Sequence, residues 1–261
     1  MDNSVRNFSL MLEALAELQP EIEAAQARPM PAAPSLSDSL SALGPLPCEA
    51  LLLGLASDGL PLLLNLHDPH PGPLLIAADP GAGKTTLLQL IAQAAAQLHT
   101  PGQVQFGAVT NYPDEWAHLA DLEHCVGVFP SYHHSTVDFL HSLSGWAHAN
   151  KGGQQSVLLL VDDLESMSAL DFDTRQTLRW LLLRGPSRRA WPLISMNAER
   201  ASQVEGWLEA FRTRIFGQIK DEHTADRLAD LPGADLSHLQ PGSQFTLREG
   251  DGWLKFWIPE I

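Results

Sequence analysis

Residues 78–86 read Ala-Asp-Pro-Gly-Ala-Gly-Lys-Thr-Thr, and these residue types at this spacing suit the grip of a polyphosphate. Gly81 and Gly83 let the backbone curl so that successive N–H groups face one concavity, and Lys84 can reach the β- and γ-phosphates. Thr85 offers a hydroxyl suited to Mg2+. The run fits GxxxxGK[ST], with Ala78 in the place of the first glycine. Asp79, Pro80, Gly81, Ala82, Gly83, Lys84, Thr85 and Thr86 are therefore the expected nucleotide-binding residues, with ATP and Mg2+ as the expected ligands. A glycine-rich turn with a chance lysine is the plainer reading. Against it stand an apolar strand before, a helix pattern after, and the isolation of Lys84, the one Lys or Arg between Arg28 and Lys151.

A loop of this kind needs a carboxylate at the end of a second apolar strand to hold the metal. Val157–Val161 followed by Asp162 and Asp163 supplies it. Asp162 is the expected metal residue beside Thr85, and Asp163 stands where many such ATPases carry a glutamate that polarises the attacking water. A third strand ends in Asn197, the candidate contact to the γ-phosphate or its water, if that strand lies between the other two in the sheet. Hydrolysis also needs a further cation to stabilise the transferring group, worth ~10³–10⁵ in rate. Arg188, Arg189 and Arg214 are the candidates, with Arg184 beside them, and in a ring that cation comes from the neighbouring subunit.

These residues must be positioned by elements that the apolar periodicity marks out. Strand runs at Leu74–Ala78, Val104–Val109, Cys125–Phe129, Ser156–Val161 and Trp191–Met196 alternate with helix patterns at 85–98, 135–149, 172–184 and 199–210. Such alternation predicts an α/β fold, a mostly parallel sheet with helices on both faces, and the phosphate loop between the strand at 74–78 and its helix makes the expected class a P-loop NTPase (RecA/ASCE-like). A leading hairpin, Ala50–Ala56 and Leu60–Leu66 around Asp58-Gly59, and a terminal hairpin, Phe245–Leu247 and Trp253–Ile258, flank it. Residues 1–27 carry an N-terminal amphipathic helix pattern, 28–47 a Pro/Ser-rich linker, and 48–261 the ATPase domain.

Charge narrows the function classes. A net charge of -15 gives no general attraction for polyanions and excludes a DNA coat protein. No apolar run approaches the ~20 residues of a membrane-spanning helix, and the first residues lack a secretory pattern, so no membrane association and a cytoplasmic location are expected. Cys48 and Cys125 have neither disulfide-framework nor zinc spacing and read as buried small hydrophobes. The adjacent His133 and His134 are expected to point apart on a strand or helix and, with no carboxylate–histidine constellation beside them, make a poor metal pair.

With these residues in hand, the chain resembles the HerA/FtsK superfamily of hexameric P-loop ATPases, which pump DNA. The likeness runs over roughly residues 48–259, in the order LLLGLASDGLPLLLNLHDPHPG, LLIAADPGAGKTTLL, LLLVDDLESM, RGPSRRAWPLISMNAER, FRTRIFGQI and GSQFTLREGDGWLKFWIP. It departs from the family at Ala78, Asp163 and Asn197, where Gly, Glu and Gln are common. The resemblance implies a homo-hexameric ring around DNA or a protein, with nucleotide at subunit boundaries. The acidic N-terminal helix pattern is expected to pack on its own core or on a neighbouring subunit, and a further reading is a small effector-coupled ATPase whose N-terminal helix docks a protein partner. The alternative expectation is a nucleotide-gated assembly subunit that hydrolyses slowly and translocates nothing.

Overall fold

Alternation of strand and helix patterns builds one ten-stranded sheet. The computed structural model describes residues 34–249 and 252–261. Its strands are β1 (Ala50–Ala56), β2 (Pro61–Asn65), β3 (Leu74–Ala78), β4 (Val104–Thr110), β5 (Cys125–Pro130), β6 (Ser156–Asp162), β7 (Ala190–Asn197), β8 (Thr213–Phe216), β9 (Gln244–Glu249) and β10 (Gly252–Trp257). Across the sheet they run β2-β1-β10-β9-β8-β3-β7-β6-β4-β5. The stretch from β8 to β5 is parallel, whereas β9, β10, β1 and β2 add on antiparallel. The two hairpins are thus not separate appendages. They join through Leu55↔Trp257 and Ala56↔Phe256, and β9 pairs with β8 to make them part of the central sheet.

The helices that matter here are α1 (Leu36–Leu43), α2 (Lys84–Leu98), α3 (His134–Ala149), α4 (Leu164–Met167), α5 (Phe172–Arg184) and α6 (Glu222–Ala229). Side chains alternate between the two faces of each strand, and β6 shows the result. Leu158 and Leu160 join Leu87, Leu88 and Ile91 of α2 on one face, while Val157, Leu159 and Val161 join Leu140 of α3 and Leu178 and Leu181 of α5 on the other. Each such fully buried leucine stabilises the fold by about 1.5–3 kcal/mol. A parallel sheet covered on both faces needs apolar runs of this kind.

The expected N-terminal helix and linker residues 28–33 lie outside the described residues. The rest of the stretch read as linker holds α1, capped by the Ser35 hydroxyl accepting from the Asp38 N–H at 3.1 Å. Leu36 is buried, and its N–H donates to Glu260 O at 2.8 Å, which ties α1 to the end of the chain. The helix expected over 199–210 is instead a 3₁₀ segment, Ala198–Gln203, followed by one turn at Glu205–Leu208. Val204, with φ -119° between them, breaks the helical path while its side chain is fully buried. Cys48 is exposed and Cys125 half-buried, both as free thiols, so the reading of both as buried is corrected. Among the described residues no helix is long and apolar enough to cross a membrane.

Strand order and register decide what can meet. Asp162 stands level with Ser195 and Thr110, and Ala78 with Asn197, so the C-terminal ends of β3, β7, β6 and β4 form one edge. Because β7 lies between β3 and β6, Asn197 emerges between the phosphate loop and the acidic pair.

Candidate functional site

The loop from Asp79 to Gly83 leaves β3 and turns directly into α2. Gly81 and Gly83 have φ of 76° and 91°, in the left-handed region that glycine enters without strain. Gly83 is needed on a second count, since a Cβ there would lie 2.7 Å from the Gly242 Cα. That approach clamps the loop, for the Gly242 N–H donates to Ala82 O at 3.1 Å. Asp79 braces the other side, its N–H donating to Gln218 O at 2.9 Å and its carboxylate accepting from the Lys220 N–H at 2.9 Å. α2 starts with no side-chain cap and no acidic residue in its first turn, which leaves its first N–H groups to an anion. Pro80 and Thr86 are exposed beside them.

Ala78 fits where a glycine is common because of what faces it. Gly217 packs so closely that a Cβ on it would lie 2.9 Å from Ala78 Cβ and 3.1 Å from the Phe245 ring. Gly217→Ala is therefore expected to cost about 1–3 kcal/mol of stability through overpacking. Adding Ala78→Gly to that variant should return most of the loss. Denaturant unfolding of the two variants measures this, and a double variant no more stable than Gly217→Ala would contradict the pairing.

Lys84 is 9% exposed, and its Nζ donates to Ala78 O at 3.1 Å and Asp79 O at 2.9 Å. Burial pulls its pKa below the usual lysine value, against the opposing pull of Asp162 first, then Glu165, Asp79 and Asp163. Asp162, 8% exposed, accepts from Thr85 Oγ1 at 2.9 Å and from Ser195 Oγ at 2.8 Å. Burial raises its pKa, while those two hydroxyls and Lys84 lower it. Thr85 and Asp162, 77 residues apart in sequence, thus present hard oxygens side by side, a pair that suits a small divalent cation completed by water and phosphate.

Asp163 points elsewhere. Its backbone is in an unusual conformation (φ 105°, ψ 89°), and it caps α4, accepting from the Glu165 N–H at 3.2 Å. Its other oxygen accepts from Asn111 Nδ2 at 2.7 Å, just past the end of β4. The carboxyl that faces the loop, missed by sequence reasoning, belongs to Glu165. It is 8% exposed; Oε1 accepts from the Asn197 N–H at 2.7 Å, while Oε2 is buried with no partner. Burial above all, with help from Asp163, pushes its pKa up to about 8. An acidic residue three positions beyond Asp162 was the available signal, but only the structure shows that the first turn of α4 returns it to the site.

The arginines separate into different roles. Arg189 is buried and its guanidinium grips Glu49 through both nitrogens at 2.7–2.8 Å, with further bonds to Gln154 O and Leu66 O. Arg214 donates to Leu228 O at 2.7 Å and Leu208 O at 2.9 Å, closing the ends of α6 and the 205–208 turn. Burial lowers its pKa. Both hold elements of their own chain together. Arg188 stays half-buried, and like Arg189 it precedes β7, about 25 Å of strand away from Asn197 at the nucleotide edge. No arginine among these candidates is brought to the chain's own loop.

The fold with this edge arrangement is that of the P-loop ATPases. It is shared with EccC ATPases 2 and 3 of Thermomonospora curvata in complex with a signal sequence peptide, at 18% identity and TM-score 0.68 over 90% of this chain and 44% of that one. EssC ATPases 2 and 3 from Geobacillus thermodenitrificans align at 14% identity and TM-score 0.72, over 88% of this chain and 47% of that one. The pCW3 conjugation coupling protein TcpA, in its monomer form with ATPgS, aligns at 13% identity and TM-score 0.57, over 88% of this chain and 71% of that one. The chain thus spans less than half the length of the EccC and EssC structures. No family model and no curated protein matches the sequence.

Proposed function

We propose that the chain binds ATP with Mg2+ and hydrolyses it as a subunit of a homo-hexameric ring motor of FtsK type, acting on DNA or within a DNA-processing complex. One observation carries the reading: Lys84, Thr85 and Asp162 converge at the edge of β3 and β6, with Thr85 and Asp162 already hydrogen-bonded. In this mechanism Lys84 exchanges the carbonyls of Ala78 and Asp79 for phosphate oxygens, and the loop amides and the start of α2 hold the rest of the polyphosphate. Thr85 and Asp162 would hold Mg2+. The metal, when bound, neutralises charge that develops on the phosphate oxygens. Asn197, between β3 and β6, is set to orient the terminal phosphate or its water.

The second reading, a slow nucleotide-gated assembly subunit, is favoured by the capture of Asp163 by Asn111 and by the commitment of Arg189 and Arg214 to their own chain. It also agrees with the net charge of -15, since gripping DNA needs basic side chains. Turnover measured against protein concentration and duplex DNA separates the two. A ring motor, supplied with a trans cation such as Arg184 or Arg188, gains specific activity with concentration, is stimulated by DNA at modest salt and loses that stimulation as salt rises. Concentration-independent turnover contradicts the ring, and absence of DNA stimulation leaves the assembly role.

A further inference from the structure

Two carboxyl groups compete for the part of water-activating residue, and the geometry separates them. Asp163 has both oxygens engaged, one with Asn111 Nδ2 and the other with the Glu165 N–H. Glu165 accepts from the Asn197 N–H through Oε1, its Oε2 is buried with no donor, and its carboxyl lies against that of Asp163. Asn197 ends β7, the strand next to β3 and level with Ala78, so the Glu165 carboxyl sits across from the phosphate loop. A buried oxygen without a partner is costly to hold, and an attacking water hydrogen-bonded to it removes that cost.

We propose that Glu165, and not Asp163, is the catalytic base of this site. The assignment rests on the hydrolytic reading above. The water oxygen bonds to the γ-phosphorus, and the bond from that phosphorus to the β,γ-bridging oxygen breaks with its electron pair leaving on ADP. The water proton passes to Oε2 of Glu165, which later returns it to solvent. Asn197 fixes the acceptor, since its N–H holds Oε1 and leaves Oε2 free.

The pH dependence has a definite sign. Burial first, then the Asp163 carboxyl beside it, push this carboxyl up to about 8 against the pull of the Asn197 N–H, with Lys84 from α2 the nearby cation. The basic form therefore grows as pH rises from 7 to 9, and turnover climbs with it.

Glu165→Gln tests the assignment while keeping an oxygen to accept from Asn197. Turnover is expected to fall about 10²–10⁴-fold, with Mg-ATP affinity by calorimetry within threefold of the unsubstituted chain. Glu165→Asp, which restores a carboxylate at shorter reach, should recover part of the rate that Gln does not. The assignment is overturned if Glu165→Gln turns over ATP within threefold of the unsubstituted chain while Lys84→Ala is inactive, a result that leaves the hydrolytic reading standing. It is also overturned if Gln and Asp are equally impaired, which marks a structural role. An unsubstituted chain that binds ATP without hydrolysing it, at any pH from 7 to 9, overturns the assignment and the hydrolytic reading together.

Discussion

Lys84→Ala is expected to weaken ATP binding about 10²–10⁴-fold. The Nζ is the cation held inside the loop, and each charge-assisted bond it gives to a phosphate oxygen is worth about 1.5–3 kcal/mol, so two of them account for that range. The loss should fall on nucleotide affinity and spare the fold. In the nucleotide-free chain Lys84 is a desolvated charge whose pKa burial lowers, and its partners are two carbonyls that solvent can satisfy once the side chain is gone. Calorimetric titration with Mg-ATP measures the effect. An affinity within threefold of the unsubstituted chain would refute the role of Lys84.

Arg189→Ala should act on the fold and leave the nucleotide site in place. Arg189 and Glu49 have side chains 10% and 17% exposed, and they join the turn before β1 to the start of β7 across 140 residues of sequence. Removing one partner of a buried pair costs about 3–5 kcal/mol, and the loss should fall toward the lower end here, because the exposed His67 still contacts the Glu49 carboxylate at 2.9 Å. For a domain of this size that lowers the melting temperature by roughly 6–20 °C. Replacing both residues by methionine should recover much of the loss, since a packed apolar pair of similar volume can match a buried ion pair. A change under 1 kcal/mol together with lost turnover would instead make Arg189 a phosphate-facing cation.

The parts of the fold legible in the sequence were those with a local signature. Leu74–Ala78, Ser156–Asp162 and Ala190–Asn197 are continuous apolar runs, because a central parallel strand is covered on both faces. The glycines of the phosphate loop announce themselves by the backbone they permit. The four residues of β8 carry too short a pattern, with Arg214 in their midst, to be told from loop. The fusion of the two hairpins rests on two paired positions about 200 residues apart, which no local pattern encodes. Side-chain roles were least legible where direction decides them. Asp162, Asp163 and Glu165 lie within four residues, yet one meets Thr85, one turns to Asn111 and one returns to Asn197. The arginines likewise read as a basic cluster in sequence, although Arg189 and Arg214 are spent inside the fold.

Titration of the full chain with Mg-ATP and, separately, with AMP tests the central claim most directly. The arrangement of Lys84, Thr85 and Asp162 predicts one ATP per chain and at least 100-fold weaker binding of AMP, because the loop and its lysine hold the β- and γ-phosphates that AMP lacks. No binding of ATP, or equal affinity for the two nucleotides, would contradict it.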